Sequence, residues 1–360
     1  MTNPIFPVPA GTETVQVRII DTSTRMAKLP LAFLMQPPME GMQYMPEMPA
    51  WSFLIEHSSG QKLVFDLGVP KDWRSFSPVI LQIIDSINCE ITVKDDVIDI
   101  LKNNDIPAGQ ISGIIWSHWH FDHIGDPSKF PTSADLIVGP GFKDAFCPGY
   151  PSAPDSPVRE SDFAGRNLRE IDFSDSIEVG QFRAYDFFGD GSFYLVDTPG
   201  HAVGHLSALA RTTTSPDTFI FMGGDLCHHS GQIRPSKHMP LPFDIQNAIP
   251  ATVLPCPGAQ AYEKLLLRRN GAFFTPATMV GTDSKTTIRT IEKAQDADAD
   301  SNIWFIFAHD PSLLGIVDLF PLPANDWKKN GWRRKTLWAF LRDFDMAIAA
   351  QDKEVGQVSI

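Results

Sequence analysis

The sequence predicts a mixed α/β fold. Apolar runs typical of strands are interleaved with segments typical of helices along the 360 residues. Several predicted strands follow one another through short turns, which favours antiparallel pairs, whereas a doubly wound sheet places a helix after each strand. Because 43% of the residues are hydrophobic, the chain can bury a large core. We therefore expect one large domain or two ordinary ones.

The first part of the chain predicts a strand, a hairpin and a helix. "TVQVRIID" (14–21) alternates and forms the first strand, and "WSFLIEHSSGQKLVFDLG" (51–68) forms a hairpin around its SSG turn. Over 92–106 the apolar residues repeat at helical spacing, and Thr92 is the expected N-cap. "ISGIIW" is the next strand, and Asp126 followed by proline is expected to begin a helix.

The second part of the chain predicts a series of short strands and three helical regions. The strands include two apolar runs, "DTFIFM" and "NIWFIF", each of which is soon followed by an aspartate or a histidine. Helices are expected at 259–269, at 284–294 and within 326–360. Proline-rich loops are expected at 147–160 and 230–260.

The composition argues against nucleic-acid and membrane partners. The formal net charge is −13, and the basic residues form no stripe that would track a phosphate backbone. The start of the chain lacks the features of a secretory signal, and no apolar stretch is long enough to span a bilayer. The cysteines show no CxxC spacing, which favours free thiols in a reducing compartment. We therefore expect a cytoplasmic protein that acts on a small molecule.

Polar side chains gather where four predicted strands end, which is where sheet proteins bind ligands. "SHWHFDHIGD" follows "ISGIIW", and the other three groups lie in "DTPGH", "GGD" and "AHD". Residues two apart on extended chain share a side, so His118 and His120 can hold one metal, while Gly125 allows a turn that brings Asp122 and His123 to a second. Imidazole and carboxylate ligands without thiolate favour an open, catalytic zinc site. The candidate metal ligands are His118, His120, Asp122, His123, His201, Asp225 and His309.

These motifs, together with "VFDLG", occur in an order that resembles the metallo-β-lactamase superfamily over about residues 15–315. The resemblance implies an αββα sandwich of two facing mixed sheets, with a dinuclear zinc site at one edge; iron and manganese are alternatives. One metal would be held by His118, His120 and His201, the other by Asp122, His123 and His309, and Asp225 would bridge both. The ligand set is closest to the acylhomoserine lactonase and glyoxalase II-like branch. The catalytic domain is expected over 1–325, with 326–360 as a helical extension packed on it.

The resemblance implies a hydrolase that opens a lactone or lactam by attack of a hydroxide shared between the metals. Asp122 and Asp225 are the expected catalytic carboxylates. His228 stands three residues after Asp225, where related lactonases have a tyrosine, and is expected to hydrogen-bond or protonate the substrate. Residues expected to orient the ligands are Asp66, Ser117 and His205. Cys227 is expected to be a packing residue.

The methionine- and proline-rich segment 34–51 has two interpretations. Its five methionines suit an adaptable pocket wall for a hydrophobic or aromatic substrate, or the loop packs on the body or forms a dimer contact. We favour the wall; a homodimer stays open. Two other activities also stay open. One is a thioesterase, of the glyoxalase II or acyl-carrier type, and the other is an oxidoreductase similar to the mononuclear-iron persulfide dioxygenases.

Overall fold

Two large β-sheets face each other in the computed structural model, which describes residues 6–245, 258–267, 271–277 and 283–357. The described residues contain fifteen strands. They are β1 (Val15–Ala27), β2 (Met35–Gln36), β3 (Met48–His57), β4 (Lys62–Phe65), β5 (Glu90–Thr92), β6 (Ile111–Ile115), β7 (Asp135–Val138), β8 (Leu168–Glu170), β9 (Ile177–Val179), β10 (Phe182–Asp186), β11 (Phe193–Asp197), β12 (Leu206–Thr214), β13 (Asp217–Met222), β14 (Thr275–Pro276) and β15 (Ile303–Ile306).

The helices are short, with three exceptions that exceed two turns. In chain order they are α1 (Leu31–Leu34), α2 (Pro78–Ile87), α3 (Val97–Lys102), α4 (Phe121–Ile124), α5 (Phe142–Phe146), α6 (Glu160–Phe163), α7 (Ser230–Ile233), α8 (Ala259–Glu263), α9 (Ser284–Ala299), α10 (Trp332–Thr336) and α11 (Asp345–Gln357). Single 3₁₀ turns occur at Trp73–Ser75, Ala108–Gln110, Pro127–Lys129 and Pro311–Leu313, and a longer one at Ala339–Phe344.

Both large sheets are mixed, as the resemblance implied. The first has the order β5-β1-β3-β4-β6-β7-β8, in which β1, β3 and β4 pair antiparallel and β4, β6, β7 and β8 pair parallel. The second has the order β15-β13-β12-β11-β10-β9, and only its β13–β15 pair is parallel. A third, two-stranded sheet joins β14 to β2.

The main core lies between the two sheets. Alternate residues of β1 point into it, so that Val15, Val17 and Ile19 pack in one buried cluster with Leu195 of β11 and Ile220 of β13. Helices cover the outer faces. On the first sheet α2 and α3 complete a second buried cluster, and on the second sheet α9 completes another. The predicted αββα sandwich is confirmed.

The helix predicted over 92–106 is shorter than expected, and Thr92 is not its cap. β5, which includes Thr92, pairs antiparallel with the end of β1. The Ser23 hydroxyl accepts the backbone N–H groups of Lys94 and Asp95, which holds this stretch extended. The helix therefore begins only after Asp96. Similarly, Asp126 caps a single 3₁₀ turn and not a long helix, with its carboxylate accepting from Ser128 N.

The end of the chain is helical and packs on the body. Trp327 and Trp332 belong to the core between the sheets, and Trp338 packs in a separate cluster with the methionines of segment 34–51. The helix predicted at 284–294 is confirmed and extends to Ala299. The helix predicted at 259–269 is described only as α8 and a following turn. The loop predicted at 230–260 begins with a helical turn, α7, and residues 246–257 lie outside the described residues. The division at residue 325 stays a prediction.

Within the described ranges, no helix has both the length and the apolar character needed to cross a bilayer.

Cys89, Cys147 and Cys227 are free thiols, and Cys256 lies outside the described residues. Cys227 is buried in the cluster that covers the second sheet, in agreement with its predicted packing role. The cytoplasmic location and the homodimer stay predictions.

Candidate metal centre

Four loops that follow strands meet at one edge of the sandwich. The loop after β6 carries His118 and His120 and continues into α4, and Gly125 ends α4 with a φ of 52°, a conformation that favours glycine. His201 follows β11, Asp225 follows β13 and His309 follows β15. Because these strands belong to both sheets, only the facing of the two sheets brings the four loops together.

The seven predicted ligands form two neighbouring groups. In the first, one potential ligand atom from each of His118, His120, His201 and Asp225 lies within 4.8 Å of the others, and in the second the same holds for Asp122, His123 and His309. Within the first group, His201 Nε2 lies 3.1 Å from His118 Nε2 and 3.0 Å from His120 Nδ1. Three ring nitrogens thus face a common point.

Asp225 lies between the groups. Its Oδ1 is 3.1 Å from both His123 Nε2 and His309 Nε2. Its Oδ2 is 3.5 Å from His201 Nε2 and 3.8 Å from His118 Nε2. Each carboxylate oxygen therefore faces a different group, which is the arrangement that a ligand shared by two cations requires.

The donor atoms fit divalent cations. His123 Nε2, His309 Nε2 and Asp225 Oδ1 are buried and have no hydrogen-bond partner. The other ring nitrogens are occupied, since His123 Nδ1 donates to Asp66 Oδ2 at 2.8 Å and His309 Nδ1 donates to Pro49 O at 2.8 Å. In the neutral rings the Nε2 lone pairs therefore point inward. Buried polar atoms without partners are rare, and a metal would satisfy all three.

The electrostatics of the site also suit metal binding. Burial lowers the pKa of His120 to about 4 and lowers the pKa values of His118 and His201 well below the ordinary value, so these rings are neutral, the form that binds metals. Burial also acts to lower the pKa of His123. The negative charges of Asp225, Asp66 and Asp122 outweigh this effect, and the pKa of His123 is raised. A cation between the groups would replace that proton as the positive charge beside Asp225.

Asp66, Ser117 and His205 contact residues of the two groups, as expected. Asp66, held at a φ of 59°, accepts from Ser117 N and Oγ at 2.7 Å each and from His123 Nδ1. His205 Nδ1 donates to Thr198 O at 2.8 Å, and its Nε2 accepts the backbone N–H of Asp225 at 3.1 Å. Asp66 thus orients a ring, and His205 positions the backbone of the shared carboxylate.

We expect Asp66→Ala to weaken metal binding by roughly 10- to 100-fold, the usual cost of losing a partner that orients a ligand. The His123 ring would lose the acceptor that directs its Nε2 inward. Metal affinity measured by competition with a chromophoric chelator checks this, with the exposed Asp72→Ala as control. Unchanged affinity in Asp66→Ala would show that packing and the Ser117 hydroxyl, 3.3 Å from His123 Nδ1, hold the ring without Asp66.

His228 lies beside the ligands, and His229 points away. His228 Nε2 is 3.2 Å from Asp225 Oδ2, and its backbone N–H donates to Gln232 Oε1 at 2.6 Å. His229 Nε2 lies 3.1 Å from Asp343 Oδ2, and its ring packs among phenylalanines of the C-terminal segment. Of the two adjacent histidines, only His228 faces the site.

A cavity of about 420 Å³ opens above the two groups. Its polar end consists of His120, Asp122, His201, Asp225, His228 and His309. Its remaining walls are largely apolar and come from β1, α1, β3, α2 and the segment around α4; they include Met26, Leu29, Phe33, Leu34, Met48, Ile80, Ile83, Ile87, Trp119 and Phe121.

The predicted methionine wall is largely wrong. Of the five methionines in segment 34–51, only Met48 lines this cavity. Met35, Met42 and Met45 are buried in a cluster with Phe340 and other residues near the C-terminus, because that segment covers the loop. The packed-loop interpretation holds for these three.

Much of the apolar wall of the cavity comes from α2, a helix that was not predicted from the sequence. A signal was present, since Ser77 precedes Pro78 in the pattern typical of a helix start. Ile80, Ile84 and Ile87 then recur at helical spacing and are buried against the first sheet and the methionine cluster.

Two facing sheets with histidines and aspartates gathered at one edge suit a metal-dependent enzyme. A family model described as "Metallo-beta-lactamase superfamily" matches residues 45–211. The chain is 43% identical to "Gamma-lactamase FDB1" of Fusarium pseudograminearum (strain CS3096) over 98% of this chain and 88% of that protein. It is also 43% identical to "Metallo-hydrolase mfmC" of Annulohypoxylon moriforme, over 98% of this chain and 93% of that protein. The chain belongs to the metallo-β-lactamase superfamily and is an enzyme of its hydrolase class.

A solved structure supports the fold. The crystal structure of a quorum-quenching N-acyl homoserine lactone hydrolase matches with a TM-score of 0.56, covering 87% of this chain and 100% of that one. The sequences are only 17% identical, so the likeness concerns the fold alone.

Proposed function

We propose that this protein is a dinuclear zinc hydrolase that opens a lactam or lactone ring carrying an apolar substituent. The observation that carries the proposal is the convergence of two His/Asp groups at the polar end of an apolar cavity. The relative named gamma-lactamase supports a cyclic amide as the first substrate to test. Ring opening of such an amide yields a carboxylate and an amine.

The proposed metal ligands are those of the two groups. His118, His120 and His201 would hold one ion, and the second group, Asp122, His123 and His309, would hold the other. Asp225 would contact both, since each of its oxygens faces one group. Zinc suits this nitrogen and oxygen set, and iron and manganese accept the same ligands. When bound, two such ions lower the pKa of water and polarise a carbonyl.

The chain's own residues would bind and orient the substrate. The apolar walls take the substituent and exclude water, which leaves the ring amide at the polar end. His228 Nε2 faces this end, held 3.2 Å from Asp225 Oδ2. A proton on that nitrogen can hydrogen-bond the substrate oxygen or pass to the leaving nitrogen.

The structure offers less support for the two other activities. A thioesterase acting on a phosphate-bearing carrier needs cations near its pocket, and no lysine or arginine lines this cavity among the described residues. A mononuclear oxidoreductase needs only the first group, whereas here a second group is assembled around unpartnered nitrogens.

The test is metal analysis followed by a substrate panel. We expect protein purified without chelators to hold about two ions per chain, as two-metal hydrolases do. We expect hydrolysis of aryl- or alkyl-substituted γ-lactams and γ-lactones, reduced by chelation and restored by zinc. A well-folded sample that binds one iron and consumes oxygen would overturn the proposal, as would hydrolysis of thioesters alone.

Shortening a side chain of the apolar wall tests whether the substrate contacts it. Ile83→Ala should raise KM for an apolar lactam roughly tenfold, equal to about 1.4 kcal/mol, because it removes apolar contact, and should leave kcat nearly unchanged. Leu81→Ala is the matched control, since Leu81 is also partly buried in α2 but does not line the cavity. Equal KM values for the two variants would show that the substrate does not contact this wall.

A further inference from the structure

A hydrogen bond joins the loop that carries Asp225 and His228 to the C-terminal part of the chain. His229 Nε2 and Asp343 Oδ2 lie 3.1 Å apart, and the two side chains are only 2% and 10% exposed. Asp343 belongs to the 3₁₀ turn Ala339–Phe344, 114 residues further along the chain. The pair therefore holds this loop against a segment whose described residues belong neither to the two His/Asp groups nor to the lining of the cavity.

The surroundings of His229 determine which of its ring nitrogens carries the proton. Nδ1 accepts the backbone N–H of Gly231 at 2.9 Å and so caps α7. In the neutral ring the proton is therefore on Nε2, which donates to Asp343 Oδ2. Three phenylalanines contact the ring edge-on, with centroid distances of 5.5 to 5.9 Å: Phe274, Phe340 and Phe344. Because these rings are apolar, the buried donor depends on the Asp343 carboxylate for its hydrogen bond.

The direction of the His229 side chain also determines that of His228. The backbone of His229 is extended, with a φ of −153° and a ψ of 141°. Successive side chains on extended chain point to opposite sides, so a His229 ring fixed on the C-terminal segment places the preceding ring on the side of the two His/Asp groups. There His228 Nε2 lies 3.2 Å from Asp225 Oδ2. The bond from His228 N–H to Gln232 Oε1 holds the main chain and does not contact the ring.

We propose that Asp343 is a positioning residue for the reaction: through His229 it holds the His228 ring in the place from which that ring acts on the substrate. The action of His228 on the substrate rests on the proposed function, whereas the fixed direction of its ring does not. Asp343 lies outside the lining of the cavity, so its removal should change kcat and leave KM unchanged. Metal content should also be unchanged, because Asp225 is held separately through its backbone N–H, which donates to His205 Nε2.

The kinetics of the zinc-loaded enzyme with an apolar γ-lactam test this link. Asp343→Ala should lower kcat roughly tenfold, within the about 10²-fold that a small misplacement of a reacting group can cost. Asp343→Asn keeps an oxygen that can accept from His229 Nε2 and should retain most of the rate. The matched control is Asp345→Ala, which removes an exposed carboxylate of the same segment and should retain the wild-type kcat.

A double-mutant cycle separates positioning from a general effect on the fold. In the His228→Ala background, Asp343→Ala should lower kcat by less than about twofold, because the ring that it positions is absent. An equal loss of rate in both backgrounds would show that Asp343 supports the fold as a whole, and the proposal would be wrong. Loss of metal in Asp343→Ala, or a rate for Asp343→Asn as low as that for Asp343→Ala, would overturn it as well.

A second variant keeps the test decisive if Asp343→Ala does not fold. His229→Asn supplies a favoured N-cap whose side-chain oxygen can accept from Gly231 N–H, so α7 keeps its cap. The shorter side chain does not reach Asp343. This variant should reproduce the roughly tenfold loss of kcat, and again only where His228 is present.

Nitrogen NMR of the zinc-loaded, histidine-labelled protein supplies a measurement that needs no substrate. We expect the ring resonances of His228, identified by their absence in His228→Ala, to be sharp in the wild type and in Asp343→Asn. They should shift and broaden in Asp343→Ala and in His229→Asn, and unchanged resonances in both variants contradict the proposal. Failure of the proposed function is a separate result, because it appears as absence of hydrolysis by the wild-type enzyme whatever these resonances show.

Discussion

Asp225→Asn is expected to lower the rate of hydrolysis by more than about 100-fold and to reduce the metal content of the purified protein. This loss exceeds the roughly 10- to 100-fold cost of removing a residue that only orients a ligand. Asp225 Oδ1 lies 3.1 Å from His123 Nε2 and His309 Nε2, and Oδ2 faces the first group. In asparagine one of these oxygens becomes an NH₂ group, which cannot bind a metal. One group therefore loses its shared ligand, and the negative charge that balances both ions is lost.

The fold should survive this change. The core between the sheets is a large cluster of buried apolar residues, so we expect the domain to fold without metal, unlike a small zinc finger. Circular dichroism with metal analysis checks both expectations, and the exposed Asp318→Asn is the control. Wild-type activity and two ions per chain in Asp225→Asn would remove Asp225 from the shared position.

His228→Ala is expected to lower kcat by roughly 10²-fold, equal to about 2.7 kcal/mol, with metal content unchanged. The side chain lines the cavity, and its Nε2 is held beside Asp225 Oδ2. It belongs to neither group of potential ligands. A hydrogen bond that forms to the developing oxyanion or to the leaving nitrogen affects the transition state more than substrate binding, so the loss should appear in kcat.

Two further variants distinguish a role of His228 in the reaction from a role in metal binding. His238→Ala, which removes a partly buried histidine outside the cavity, should leave kcat and metal content unchanged. His228→Tyr should recover part of the rate, because a phenol can also donate a hydrogen bond. Loss of metal in His228→Ala would make the residue a ligand, whereas unchanged rate and metal would remove it from the chemistry.

The candidate ligands could be identified from the sequence because each lies in a short motif directly after an apolar strand. Strand character depends on alternation and composition within a few residues, and a histidine pair such as His118 and His120 shares a side on extended chain without any distant contact. The strands were predictable for the same reason, whereas the αββα sandwich was predicted only from the resemblance to the metallo-β-lactamase superfamily. Asp66 and His205 could be identified only as polar residues near the ends of predicted strands. Their hydrogen-bond partners could not be predicted.

Only the tertiary structure decided which residues surround the two His/Asp groups and line the cavity above them. Thr92 joined a sheet because the end of β1 was available to pair with it, and the methionines turned inward because the C-terminal segment covers them. His228 and His229 are adjacent, yet one faces the ligands and the other faces Asp343. Local sequence determines the periodicity of an element and which groups carry the chemistry. The direction that each side chain takes depends on what packs against it, and those partners lie far away along the chain.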